Sequence, residues 1–104
     1  MPVVRVSILR CPPTQFVEMR QIMKESETVL RSGIEAMSGL ITYYAGADEA
    51  TSSMTNVSVW TTLAHAKQMD SFQPMLDLGK AFAARGATFE RPIMNYETLW
   101  QLKS

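Results

Sequence analysis

The sequence predicts a small α+β fold in which four strands and two helical regions alternate as β-α-β-β-α-β. Three observations predict it. β-Branched and aromatic residues gather in short runs, first at Val3, Val4, Val6 and Ile8. Between these runs, apolar residues recur at helical spacing, as at Phe16, Met19, Ile22, Met23, Val29 and Leu30. Proline and glycine punctuate the boundaries at Cys11-Pro12-Pro13, Ser38-Gly39 and Gly86. The order is that of the ferredoxin-like split unit, an antiparallel sheet with its helices on one face.

Taken in order, the first strand runs from Val3 to Leu9 and ends before the two prolines. Thr14 is placed to cap the first helix, with Pro13 tolerated at its start. Gly33 is a plausible stop for that helix, because helices often end in a left-handed glycine. Ser38-Gly39 opens the second strand, Leu40 to Ala47, and Asp48 to Ser53 forms a polar turn. The third strand, Met54 to Thr61, contains Val57, Val59 and Trp60. A second helical region starts at Thr62, breaks near Ser71 and Pro74, resumes at Met75 and stops at Gly86. The last strand is read from Phe89 to Leu102, with Pro92 marking an edge or a bulge.

Composition narrows the function. The 104 residues predict a single domain, 1–104. Apolar residues are 46% and charged residues 19%, which argues against disorder. Ten basic residues balance ten acidic ones, and no basic stripe stands out, so a nucleic-acid partner is not expected. No apolar run is long enough to span a membrane, and the N-terminus does not read as a secretory leader. Cys11 and His65 are the sole cysteine and histidine. The pair cannot build a common zinc site, so neither metal nor disulfide is expected, and the reading is a cytoplasmic protein.

The strand faces point to a partner. Leu40, Thr42 and Tyr44 alternate with Ile41, Tyr43 and Ala45. In the last strand Met94, Tyr96, Trp100 and Leu102 oppose Ile93 and Leu99. Both faces are partly apolar, yet two helices cover one face of such a sheet. A second copy of the chain is the simplest cover, which predicts a homodimer.

Two segments carry a family resemblance: Met37-Ser38-Gly39-Leu40-Ile41-Thr42-Tyr43-Tyr44, and Asn56-Val57-Ser58-Val59-Trp60 running directly into Thr61-Thr62-Leu63-Ala64-His65-Ala66. Across nearly its whole length the chain resembles the dimeric α+β barrel superfamily, and within it the antibiotic-biosynthesis-monooxygenase-like proteins. The resemblance implies sheets paired face to face in a dimer. It also implies oxygenation of a quinol or anthrone without metal or organic cofactor. Other members bind and degrade haem. Trp60 matches their strand-end tryptophan, but Met69-Asp70-Ser71-Phe72 stands where they place the haem-ligating histidine. Strand one has Arg5 and Ser7 in place of their asparagine. Haem is therefore not expected, and no cofactor is assigned.

The candidate site follows from faces and spacing. On the first strand Arg5, Ser7 and Leu9 share the more polar face; on the third, Asn56, Ser58 and Trp60 share one. If these faces coincide, they line one cavity under the helices that takes a small apolar or aromatic molecule. Trp60 is a candidate stacking wall, or else core or dimer contact. His65, in the first turn of the second helical region, is the candidate base, or else a solvated histidine at a helix start. A tyrosine is the other candidate base, and Tyr43 and Tyr44 point to opposite faces. The methionines read as core packing. Two functions stand: a cofactor-independent monooxygenase acting on an aromatic or quinol-type substrate, and a non-catalytic dimeric binding module for a small apolar ligand.

Overall fold

The computed structural model describes residues 1–103. Its strands are β1 (Val3–Arg10), β2 (Leu40–Asp48), β3 (Ser53–Trp60), β4 (Thr88–Phe89) and β5 (Met94–Glu97). Its α-helices are α1 (Phe16–Glu25), α2 (Glu27–Glu35), α3 (Leu63–Ala66) and α4 (Gln73–Ala84), with 3-10 turns at Pro13–Gln15 and Lys67–Ser71. The sheet order is β2-β3-β1-β4, with β5 also on β1, and every pairing is antiparallel. This is the predicted ferredoxin-like topology.

β1 is the central strand. It pairs with β3 over eight positions, from Val3 opposite Trp60 to Arg10 opposite Ser53. Val3, Arg5, Ser7 and Leu9 therefore share the helix-facing side with Trp60, Ser58, Asn56 and Met54. Two apolar clusters pack between sheet and helices. One joins Leu9, Cys11, Phe16, Met19, Met54, Phe82 and Ala87; the other joins Val3, Leu30, Ile34, Trp60, Ala66 and Met69. Met19, Met54 and Met69 are buried, as expected of core methionines.

Several expected boundaries differ. The last strand is two short ones, because Glu90–Ile93 puts four residues opposite Ser7 and Ile8 of β1 and only Glu90 N still bonds to that strand, at Ile8 O, 3.0 Å. It ends at Glu97 because Glu97 lies opposite Val3, where β1 begins. Leu99, Trp100 and Leu102 thus have no strand to pair with and are exposed. Thr14 lies inside the first 3-10 turn, and α1 starts without a side-chain cap. The first helical region is divided at Ser26, whose hydroxyl donates to the Met23 carbonyl at 2.6 Å. Gly33 does not stop that region, which runs on to Glu35. Its missing side chain serves packing instead: a Cβ there would lie 2.6 Å from the Phe72 ring. In the second helical region Ala66 and Met69 are buried, whereas Leu63 is exposed.

One difference bears on the site. A bulge in β2 places Leu40 opposite Trp60 and Thr42 opposite Val59, leaving Ile41 unpaired. The extra residue reverses the alternation, so Leu40 and Tyr43 face the helices together. Strict period-two reading had put them on opposite sides.

The turn into β2 depends on Gly39, at φ +80°. Its carbonyl accepts from Thr61 N at 2.9 Å, and a Cβ would collide with the His65 ring and the Thr61 hydroxyl. Gly39→Ala should destabilise the fold by about 2 kcal/mol or more, since left-handed strain and a clash add together. Urea unfolding monitored by circular dichroism would measure the loss.

Candidate functional site

Between the sheet and its helical cover lies a cavity of about 600 Å³. Its floor is built by strand register. Arg5, Ser58 and Tyr43 sit side by side across β1, β3 and β2, and Ser7, Asn56 and Ala45 form the next row. The bulge brings Tyr43 into the first row. Asn95 of β5 extends that row on the far side of Arg5. Met69 of the second 3-10 turn, Met75, Leu78 and Phe82 of α4, and Met23 of α1 provide apolar cover. Phe89, Arg91 and Ile93 also line the cavity.

Arg5 is 6% exposed, although it sits in a valine-rich strand. Its Nη2 donates to Asp70 Oδ1 at 2.8 Å, tying the sheet to the 3-10 turn above it. Asp70 is half-exposed, so one end of the pair remains hydrated. Arg5 Nη1, Tyr43 Oη, Asn56 Oδ1 and Asn95 Oδ1 are buried without a hydrogen-bond partner among the described residues. Three of these four belong to side chains lining the cavity. Buried polar atoms without partners are uncommon in folded proteins. Arg5 Nη1, Tyr43 Oη and Asn56 Oδ1 thus gather on the floor of the apolar chamber as unmet hydrogen-bonding groups.

Ser7, Arg5, Asn56 and Ser58 therefore do line one cavity under the helices. Trp60 shares their face but does not line it. It is fully buried against Val3, Leu30, Ile34 and Ala66, and its Nε1 donates to Ser58 Oγ at 2.8 Å. That bond leaves the Ser58 hydroxyl proton available to a ligand. His65 also stands outside the lining. Its Nδ1 lies 2.7 Å from Thr61 Oγ1 and 3.1 Å from Thr62 Oγ1, and Thr62 caps the short α3 by accepting from His65 N. The imidazole thus ties the strand-to-helix junction to the Gly39 turn. Among the described residues no cluster of three or more His, Cys, Asp or Glu could hold a metal ion, and no helix is long and apolar enough to cross a membrane.

Among the polar lining residues, sequence reasoning weighed Tyr43 only as a possible base without placing it, and did not assign Asp70, Gln73, Lys80 or Arg91. The β2 bulge hid Tyr43, because nothing in Leu40-Ile41-Thr42 announces an extra residue. Asp70 had a clue: a charged residue inside Val3-Val4-Arg5-Val6 requires an opposite charge once the strand is central and covered.

Burial pushes the Tyr43 phenol up to about 12 from its ordinary 10.0, with the Arg5 charge opposing the shift. The hydroxyl therefore stays protonated at neutral pH and acts as a donor, not a base. A raised acid pKa in the folded state makes the folded chain hold a proton that the unfolded chain loses. Stability from this source is intact below pH 10 and falls as pH rises from 10.0 toward about 12. Urea midpoints across that range should fall more steeply for the native chain than for Tyr43→Phe.

No family model matches the chain, and no curated protein matches it in sequence. Solved structures do match. A candidate antibiotic biosynthesis monooxygenase from Deinococcus radiodurans superposes with a TM-score of 0.73 at 14% identity, covering 98% of this chain and 97% of that one. SnoaB, a cofactor-independent oxygenase from Streptomyces nogalater, gives 0.62 at 15% identity, covering 99% and 98%. Rv0793 from Mycobacterium tuberculosis gives 0.61 at 12%, covering 100% and 98%. At these identities the likeness establishes architecture. The chain has the ferredoxin-like α+β fold of the antibiotic-biosynthesis-monooxygenase-like proteins.

Proposed function

We propose that this chain is a small cofactor-independent monooxygenase-like protein acting on an aromatic or quinol-type substrate held in the cavity between sheet and helices. The observation that carries the reading is the cavity itself: a chamber covered by methionine, leucine and phenylalanine, on whose floor Arg5 Nη1, Tyr43 Oη and Asn56 Oδ1 have no hydrogen-bond partner among the described residues. A planar ring fits the apolar cover, and its oxygen atoms fit the floor. Similarity of fold to a cofactor-independent oxygenase supports the same reading.

The chemistry is a balanced exchange with O2. An anthrone-type substrate loses a proton and becomes an electron-rich carbanion. The carbanion forms a C–O bond to O2, and proton return gives a hydroperoxide. The O–O bond then breaks as a second C–H proton departs, leaving a quinone carbonyl and one water. The apolar cover limits water around the reacting carbon, and the fixed dipoles of the floor stabilise the anion where it forms. Asp70, half-exposed and the one carboxylate in the lining, can pass the proton to solvent.

The same reading includes a cytoplasmic homodimer. Val4, Val6 and Ile8 point away from the helices and are only half-buried, while Tyr44, Met94 and Tyr96 are exposed. An interface of obligate type, roughly 2,000 Å² or more in total, would cover this open face. Light scattering at low micromolar concentration should give about 23 kDa, twice the 11.7 kDa of one chain. A stable folded monomer would remove the dimer from the reading.

Oxygen uptake decides the activity. With anthrone, metal-free protein should consume one O2 per substrate and yield anthraquinone. Binding without uptake would identify a non-catalytic module. His65→Ala should change turnover by less than about threefold, given its place outside the cavity. A loss of about 10²–10⁴ would instead restore His65 as the base.

A further inference from the structure

We infer that the ligand carries an anionic oxygen: the cavity takes a planar aromatic acid whose charged oxygen docks on Arg5 Nη1, in the row of the floor that also holds Tyr43. The inference rests on the cavity proposed above as the substrate site, and it names the class of molecule that fills it.

Arg5 is more than nine-tenths buried and lines the cavity. A guanidinium is a rigid fork of five N–H donors and has no acceptor. Asp70 takes one arm at 2.8 Å, which fixes the plane of the fork, while Nη1 is left without a partner among the described residues. Tyr43, on the other side of Ser58 in the same row, also has its hydroxyl unpartnered among the described residues and offers a second donor to the cavity. The free Arg5 arm calls for an acceptor, and an anionic oxygen is the strongest available.

Charge around the cavity agrees. The lining holds Arg5, Lys80 and Arg91 as cations and Asp70 as its only anion. Arg91 is held over the Phe89 ring, 4.9 Å from its centre, so this cation is also positioned by the fold. A cationic ligand would meet repulsion, and a neutral hydrocarbon would leave the Arg5 arm unmatched. The apolar cover requires that the rest of the molecule be flat and greasy. A carboxylate and an ionised phenol both satisfy this chemistry.

The experiment titrates the full chain with 2-naphthoate and with its neutral counterpart 2-naphthalenemethanol, following probe fluorescence. Native protein should bind the carboxylate at least about tenfold more tightly, the scale of a hydrogen bond to a charged group. A third probe, 2-naphthol, separates the two sources of anion. A phenolate absorption band on binding at neutral pH, without preference for naphthoate, assigns the ionised phenol; preference for naphthoate assigns the carboxylate. Arg5→Met keeps length and apolar bulk and should reduce the preference to near unity, with neutral-probe binding retained. Asp70→Asn, at a half-exposed position, keeps an acceptor for Arg5 but removes the competing charge. It should raise the preference several-fold, which tests the idea even if Arg5→Met fails to fold. Equal affinity for both probes with no phenolate band, or a preference that survives in folded Arg5→Met, overturns the inference. Oxygen uptake with anthrone is run on the same samples. Uptake without anion preference sinks only this inference, and anion preference without uptake sinks only the oxygenase reading.

Discussion

The register between β1 and β3 is the constraint on which the rest of the structure depends. Eight consecutive pairs put Arg5 beside Ser58 and Ser7 beside Asn56. A slip of one residue would turn Arg5 toward the open face and bring Val4 under the helices. The helix-side row Val3, Trp60 and Leu40 closes one end of the floor with apolar bulk, and Leu9 with Met54 closes the other. Between them lie the polar rows that line the cavity. Trp60 thus acts on the site from outside its lining, by holding the Ser58 hydroxyl.

The two faces of the sheet have different fates for a physical reason. The helices bury the face that carries Arg5, and burying a charge in apolar surroundings is costly unless it is paired. Asp70 offsets that cost from the cover, at a position where it keeps part of its hydration. The pair is therefore less severely desolvated than a fully buried ion pair. It also links sheet to cover next to the cavity, so the same contact that makes Arg5 tolerable orients its remaining arm. The opposite face has no helix, so Val4 and Val6 stay half-buried there and Tyr44 and Tyr96 are exposed.

The junction between β3 and α3 shows how a residue type suited to catalysis can be occupied by structure. His65 follows Trp60 closely in sequence, but the chain turns at Thr61 and Thr62, and both hydroxyls engage Nδ1. The neighbouring Gly39 turn packs so tightly against the ring that no side chain fits between them. The imidazole is part of the corner that sets the entry to β2.

The order of strands and helices was legible in the sequence because it depends on local patterns: β-branched runs, helical spacing and glycine or proline at the boundaries. The shared polar face of Arg5, Ser7, Asn56 and Ser58 was legible too, since alternation in an unbroken strand is strictly geometric. What only the tertiary structure decided were features set by partners distant in the chain. The β2 bulge moved Tyr43 onto the cavity floor, because pairing with β3, and no residue in β2 itself, determines where the extra residue is absorbed. The last strand stopped at Glu97 because β1 begins at Val3. Trp60 and His65 left the cavity because packing against α2 and the Gly39 turn claimed them. Asp70 entered it because a buried guanidinium 65 positions away needed a countercharge, and that need exists only once the helices close over the sheet.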